Sequence, residues 1–203
     1  MKGLEWLAVL LGLFLAPPAF GQTKVLLLGD SLTAGFGVDP AQAYPVLVEA
    51  ALKAKGYSVV FTNASVSGST TASALGRLRW YLKTKPDLLY LALGANDGLR
   101  GQSVEGMKEN LAATIRLAQA QGIKVLLVGM KMPPNYGAAY TKAFGQVYPE
   151  LAKEYQLPLL PFVLDGVAGK PELNQADGIH PNGQGHRQVA ELVTGFFISN
   201  LRP

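Results

Sequence analysis

The sequence predicts an α/β fold in which helices cover both faces of a five-stranded parallel sheet, a three-layer α/β/α sandwich. Two observations lead to this fold class. Five short apolar runs recur along the chain, and each is continuously apolar rather than alternating, as in strands that are buried on both faces. Helical patterns separate successive runs, and strict alternation of strand and helix is typical of parallel sheets with crossover connections.

The strands and helices follow one another in simple order. The strands are predicted at residues 25–28, 59–61, 88–93, 125–128 and 157–162. Helical periodicity predicts helices at 44–55, 72–83, 140–155 and 184–200, and a further helix that follows a capping Ser103. The 203 residues are 49% hydrophobic and 16% charged, which suits one domain with a sizeable core. We assign that domain to residues 22–203.

The first 21 residues have the pattern of a cleavable secretory signal. A short charged start precedes an apolar run at 6–15 and the small residues of Ala19-Phe20-Gly21. The alternative is an anchoring helix, but the run is shorter than the roughly 20 apolar residues that cross a bilayer. We therefore expect a periplasmic or secreted protein without a retained membrane anchor. The chain has no cysteine, so neither disulfides nor a lipidated cysteine are expected.

The net charge of +4 has no obvious focus along the sequence. The densest basic group consists of Arg77, Arg79, Lys83 and Lys85. These residues alternate with apolar ones along a predicted helix, so we expect them to form a solvated helix face. No RNA- or DNA-binding motif accompanies this group, so we expect no nucleic-acid partner.

Chemically distinctive residues follow four of the five predicted strands. Ser31 follows the first strand, Gly68 the second and Asn96 the third, while Asp177 and His180 follow the fifth. All strands of a parallel sheet point the same way, and ligands bind at their carboxyl ends. We therefore expect these side chains to meet at one edge of the sheet.

Ser31 is the candidate nucleophile, and a serine hydroxyl needs a base and a group that orients the base. His180 lies in a loop before a helix, and Asp177 three residues earlier can accept from one imidazole nitrogen. Asp177 is also a common turn former before glycine, and both roles can hold together. His186 falls inside a helical pattern, where we expect an ordinary polar residue on the helix surface. Asp30 is expected to hydrogen-bond the turn rather than act as a second acid.

A developing oxyanion needs hydrogen-bond donors aimed at it. The backbone N–H groups of Ser31 and Gly68 and the side-chain amide of Asn96 could supply three, although glycine and asparagine taken singly are most often turn residues. Arg100 either contacts a charged substrate or binds nearby backbone. Residues 130–137, after the fourth strand, are expected to wall an apolar acyl pocket, with a rigid surface loop as the alternative; the candidate contacts are Met130, Met132, Pro134 and Tyr136.

Four ordered blocks of the chain resemble those of the GDSL, or SGNH, hydrolases: Gly29-Asp30-Ser31-Leu32, Gly68, Gly94-Ala95-Asn96-Asp97 and Asp177-Gly178-Ile179-His180-Pro181-Asn182. The resemblance spans almost the whole mature chain and is strongest to the exported acyl-CoA thioesterase I, lysophospholipase and arylesterase group. It implies a flavodoxin-like sheet and no cofactor. It also implies Ser31 as nucleophile, His180 as base, Asp177 as orienter, and Ser31, Gly68 and Asn96 as oxyanion donors.

The expected activity is therefore hydrolysis of small-molecule carboxylic esters and thioesters through an acyl-enzyme. One alternative is a carbohydrate O-acetylesterase, which would use the same residues beside a small polar pocket. Another is a non-catalytic lipid- or glycan-binding domain on this fold, since a fold does not fix a function. Two histidines and no cysteine make a tightly held zinc ion an unexpected component.

Overall fold

A single parallel sheet forms the centre of the computed structural model, which describes residues 21–201. Its strand order is β2-β1-β3-β4-β5, the order of flavodoxin-like sheets. The strands are β1 (Thr23–Gly29), β2 (Val59–Asn63), β3 (Leu88–Ala92), β4 (Lys124–Val128) and β5 (Leu159–Leu160). All five predicted strands and the predicted α/β/α class are confirmed.

The edge strand β5 is shorter than the predicted run of residues 157–162. It pairs with β4 only through Leu159 and Leu160. Prolines at 158 and 161 flank these two residues, and a proline has no N–H to donate to a ladder. The apolar composition of the run therefore overstated the length of the strand.

Five longer helices correspond to the five predicted ones, and two short helices were not predicted. The longer helices are α2 (Tyr44–Ala54), α3 (Ala74–Tyr81), α5 (Val104–Ala120), α6 (Ala138–Glu154) and α7 (Gly183–Ile198). The short ones are α1 (Ser31–Ala34) and α4 (Ala95–Leu99). Each short helix starts two or three residues after a strand ends and is too short to show a hydrophobic period.

Both faces of the sheet are covered, and β1 shows why its sequence is apolar throughout. Leu26 and Leu28 pack in the core that includes residues of α3, α5 and α6. Val25 and Leu27 point to the other face and pack in the core that includes residues of α2 and α7. All four side chains are at most 1% exposed, so alternation between buried and solvated residues cannot arise in this strand.

Arg77 corrects the expectation of a wholly solvated basic helix face. Arg79 is exposed, but the guanidinium of Arg77 is half-buried. It donates to the carbonyl of Gly29 at 3.2 Å, to the carbonyl of Ala64 at 3.3 Å and to Ser69 Oγ at 2.6 Å. Burial lowers the pKa of Arg77 below its ordinary value. This side of α3 faces the end of β1, where backbone carbonyls need donors.

None of the helices within residues 21–201 combines the length and apolar composition needed to cross a membrane. The predicted signal peptide, residues 1–21, lies outside the described residues apart from Gly21.

His186 is buried in α7, against the expectation of a surface position. The side chain is 1% exposed, and its Nδ1 accepts a hydrogen bond from the backbone N–H of Tyr44 at 3.2 Å. The imidazole also stacks on the Tyr44 ring, with 6.0 Å between centroids. Helix α7 turns this residue toward α2, where burial lowers the pKa of His186 to about 4. A buried neutral imidazole is thus part of the core.

This burial predicts a loss of stability in mild acid. The unfolded chain takes up the His186 proton near pH 6.5 and the folded chain only near pH 4, so the unfolded state binds more protons between these values. The stabilisation of the folded state by the neutral His186 imidazole is complete above pH 6.5 and is lost as the pH falls toward 4. We expect the melting temperature to fall over this interval, and to fall less in His186→Asn, whose Oδ1 can still accept from Tyr44. Thermal unfolding followed by circular dichroism measures both, and equal pH slopes would contradict this role of His186.

Candidate active site

Ser31 lies at the carboxyl edge of the sheet, as the first residue of α1. Asp30 caps this helix, because its Oδ1 accepts from the backbone N–H of Leu32 at 3.0 Å, which confirms its expected role in the turn. Asp30 is 2% exposed, and burial raises its pKa to about 6. Gly29 is required before it, since a Cβ there would lie 2.3 Å from Thr33 Oγ1. The turn that presents Ser31 is therefore closely packed.

His180 and Asp177 share the loop that precedes α7. Asp177 Oδ1 accepts from the backbone N–H groups of Ile179 at 3.0 Å and His180 at 3.1 Å, while Asp177 Oδ2 lies 2.7 Å from His180 Nδ1. The hydrogen bond from His180 is the largest cause of a lowered Asp177 pKa, about 2. Asp177 is therefore an ionised acceptor at neutral pH.

The loop brings His180 to Ser31 across 149 residues of sequence. His180 Nε2 lies 2.8 Å from Ser31 Oγ. Because an Nδ1–H directed at Asp177 leaves Nε2 unprotonated in the neutral ring, Nε2 can accept the proton of the Ser31 hydroxyl. Phe36 lies beside the imidazole, with 4.8 Å between ring centroids. Carboxylate, imidazole and hydroxyl thus form one continuous hydrogen-bonded line.

Gly68 and Asn96 line the same cleft as Ser31. Gly68 has a φ of +77°, which favours glycine over residues with a Cβ. The Asn96 amide donates one hydrogen bond to the carbonyl of Ser69 at 3.0 Å, so its second N–H is available for another acceptor. Arg100 donates to the carbonyl of Gly68 at 2.9 Å. Of its two expected roles, the arginine therefore has the backbone contact.

Asp97 is a supporting residue that the sequence analysis did not single out. Its carboxylate is 2% exposed and accepts from both the backbone N–H of Thr71, at 2.9 Å, and the Thr71 hydroxyl, at 2.6 Å. Because Asp97 follows Asn96 in α4, these bonds attach the helix to the segment after Gly68. The only sequence signal for this contact was the position of Asp97 beside Asn96.

A cleft of about 640 Å³ opens beside Ser31 and His180, and its walls are predominantly apolar. Three of the four predicted contacts line it, namely Met130, Met132 and Pro134. The sequence analysis missed further apolar side chains of the wall, among them Phe36, Leu99, Phe162, Leu164 and Ile179. Phe36 and Ile179 are 49% and 43% exposed, and such large exposed apolar side chains often mark a binding surface.

A comparison with protein-family models matches residues 27–188 to the GDSL-like lipase/acylhydrolase family. The chain belongs to this family.

Relatives of this acylhydrolase match over most of their length. Esterase TesA of Pseudomonas aeruginosa is 44% identical over 82% of this chain and 83% of its own. Thioesterase 1/protease 1/lysophospholipase L1 of Escherichia coli K12 is 39% identical over 91% of this chain and 86% of its own. A crystal structure of TesA has a TM-score of 0.85 at 40% identity, covering 88% of this chain and all of that one. The expected SGNH hydrolase fold is thereby confirmed, and the protein is a GDSL-type ester hydrolase.

In this GDSL hydrolase, Tyr136 does not lie where the sequence analysis expected it. The cleft wall within residues 21–201 does not include Tyr136, and its hydroxyl instead donates to the carbonyl of Leu99 at 3.1 Å. The ring stacks on Tyr140 at 6.4 Å, whose hydroxyl donates to the carbonyl of Gln102 at 2.9 Å. A tyrosine hydroxyl near exposed carbonyls satisfies them, so Tyr136 anchors the segment 130–137 to the end of α4.

Proposed function

We propose that this protein hydrolyses carboxylic esters and thioesters through an acyl-enzyme on Ser31, with His180 as general base and Asp177 as its orienting group. The observation that carries the proposal is the unbroken line from Asp177 Oδ2 to His180 Nδ1, at 2.7 Å, and from His180 Nε2 to Ser31 Oγ, at 2.8 Å. A base within hydrogen-bond reach of a hydroxyl, itself oriented by a third group, is the arrangement that activates serine.

The reaction has two halves that use the same groups. Ser31 Oγ attacks the acyl carbonyl carbon while His180 Nε2 takes the hydroxyl proton. When the tetrahedral intermediate collapses, His180 gives this proton to the departing alkoxide or thiolate, and the acyl group remains esterified to Ser31. Water then attacks with His180 as base, which releases the carboxylic acid and restores the Ser31 hydroxyl.

The oxyanion of each intermediate is proposed to lie among three donors. These are the backbone N–H groups of Ser31 and Gly68 and the free N–H of the Asn96 amide. The hydrogen bonds from Asn96 to Ser69 and from Arg100 to Gly68 support this assignment, because they fix the donors before substrate arrives. Donors that need no reorganisation stabilise developing charge most effectively.

An acyl chain is the substrate group that suits the cleft. Its volume of about 640 Å³ is within the range of roughly 300–1,000 Å³ that is usual for small-molecule sites. Methionine, leucine and phenylalanine side chains in the wall favour a hydrocarbon chain over an acetylated sugar. Each methylene that leaves water contributes about 0.8 kcal/mol, so medium and long acyl groups should bind better than acetyl. The names of the relatives, an esterase and a thioesterase/lysophospholipase, agree with such substrates.

The first experiment compares the wild type with Ser31→Ala on p-nitrophenyl esters from acetyl to palmitoyl, with palmitoyl-CoA alongside. We expect hydrolysis of both substrate types by the wild type, a rise in kcat/KM beyond acetyl, and loss of turnover in the variant because it has no nucleophile. Circular dichroism controls for folding.

A preference for acetyl esters, including acetylated sugars, would instead indicate a carbohydrate O-acetylesterase. A folded wild type that cleaves no ester of the series would contradict the proposal and favour a binding domain.

Removal of the Asn96 amide tests the oxyanion assignment. We expect Asn96→Ala to lower kcat by about a hundredfold to a thousandfold, as is usual when one such donor is lost. The matched control is Asn200→Ala, because the Asn200 amide also donates to a backbone carbonyl, that of Phe196 at 2.8 Å, but at the end of the last helix. Steady-state kinetics on one ester measure both variants. A folded Asn96→Ala protein with nearly full kcat would exclude Asn96 from this role.

Export is the remaining part of the proposal. We infer that residues 1–21 direct the chain to the periplasm or the medium and are then removed, so that no membrane anchor remains. The charged start, the apolar run and the small residues at 19–21 support this inference. N-terminal sequencing of protein recovered from periplasm and medium should find a chain that begins near Gln22. Recovery of an intact N-terminus in the membrane fraction would contradict it.

A further inference from the structure

The side-chain amide of Gln175 joins the two segments that carry Ser31 and His180. Gln175 Nε2 donates to the carbonyl of Phe36 at 2.8 Å and to the carbonyl of Pro181 at 2.9 Å. Phe36 is in turn hydrogen-bonded to Ser31, because its N–H donates to the carbonyl of Ser31 at 3.0 Å. Pro181 directly follows His180. The two amide hydrogens thus connect the backbone on either side of the Ser31–His180 hydrogen bond.

The backbone of Gln175 holds the histidine loop from its base. Its N–H donates to the carbonyl of His180 at 2.8 Å, and its carbonyl accepts from the N–H of Gly178 at 2.9 Å. Next to it, Asn174 and Pro181 form an isolated antiparallel bridge. The turn that contains Asp177 and His180 is therefore closed at Gln175, and a displacement of Gln175 would displace the imidazole.

The glutamine amide occupies space that is open because residue 37 is a glycine. Gly37 lies against it, and a Cβ at that position would be 2.1 Å from Gln175 Oε1. Gly37 also has a φ of +76°, a conformation that favours glycine. The chain after α1 thus provides for one amide both an acceptor, the carbonyl of Phe36, and the space beside Gly37.

Few other hydrogen bonds join the segment of Ser31 to the segment of His180. Between segments 31–38 and 174–181, both fully described, the hydrogen bonds are the one from Gln175 to Phe36 and the one between His180 and Ser31. The Asp177 side chain is 40% exposed, so packing alone holds the loop loosely at that point. Apart from the contact between the rings of Phe36 and His180 and the Ser31–His180 hydrogen bond itself, Gln175 therefore provides the hydrogen bond that links these two segments.

We propose that Gln175 is a positioning residue that sets the distance between Ser31 Oγ and His180 Nε2 through its paired amide hydrogen bonds. The expected change in kcat rests on the proposed function, whereas the expected change in the Ser31–His180 distance rests on the hydrogen bonds alone. Misplacement of a reacting group by about 1 Å can lower a rate about a hundredfold. Gln175 is not part of the cleft wall given by residues 21–201, so its loss should act on kcat and leave substrate binding nearly unchanged.

The test is Gln175→Met, which retains side-chain length but has no donor. Gln119→Met is the matched control, because the Gln119 amide donates to the carbonyl of Tyr155 at 3.0 Å away from the cleft. We expect Gln175→Met to lower kcat on p-nitrophenyl octanoate by about tenfold to a hundredfold with KM changed less than about threefold. A crystal structure of the variant should show Ser31 Oγ and His180 Nε2 beyond hydrogen-bond distance. A second variant, Gln175→Glu, places a carboxylate oxygen against the two carbonyl oxygens and should show the same lower kcat and the same longer Ser31–His180 distance. It replaces the methionine variant if that protein does not fold.

Two results would overturn the proposal. One is a folded Gln175 variant with the wild-type kcat and an unchanged Ser31–His180 distance. The other is a lower melting temperature without a change in kcat or in that distance, since this would make the amide a purely stabilising group. Failure of the proposed function is distinguishable, because it requires a wild type without Ser31-dependent hydrolysis, whereas the crystallographic distance reports on Gln175 whatever the reaction is.

Discussion

The hydrogen bond between His180 Nε2 and Ser31 Oγ joins groups that are 149 residues apart, and the polar structure at the carboxyl edge of the sheet is arranged around it. Ser31 has its position from β1, a strand buried on both faces, and from the Asp30 cap. His180 has its position from a loop, which lacks such a rigid support. Two hydrogen bonds within that loop take the place of a packed element: the His180 N–H donates to Asp177, and the Gln175 N–H donates to the carbonyl of His180.

The loop after β2 is held by charged side chains that bind backbone. Arg77 donates to the carbonyls of Gly29 and Ala64, and Arg100 donates to the carbonyl of Gly68. Asp97 accepts from the backbone N–H of Thr71. Buried ionic groups are costly unless they are hydrogen-bonded. Of these side chains Asp97 is buried, at 2% exposure, and its hydrogen bonds to Thr71 offset the cost of burying its carboxylate, whereas Arg100 is exposed.

Phe36 belongs both to the wall of the apolar cleft and to the surroundings of the hydrogen-bonded residues Asp177, His180 and Ser31. Phe36 lies 4.8 Å from the His180 ring, lines the cleft and offers its carbonyl to Gln175. One residue therefore connects the shape of the cleft with the placement of the His180 ring. This arrangement keeps hydrocarbon against one side of the imidazole while its two nitrogens stay engaged with Asp177 and Ser31.

The sequence by itself determined the strand order along the chain, the five longer helices and the set of residues that meet at the sheet edge. It could do so because burial imposes a repeating apolar pattern and because parallel strands all end at one edge. Only the tertiary structure decided the burial of His186 and Arg77, the orientation of Tyr136 and the contacts of Gln175. These depend on partners from distant segments, such as Tyr44 for His186 and Leu99 for Tyr136. A local pattern reports whether a residue leaves water, whereas the partner of a polar side chain is fixed only when the packed elements bring it within hydrogen-bond distance.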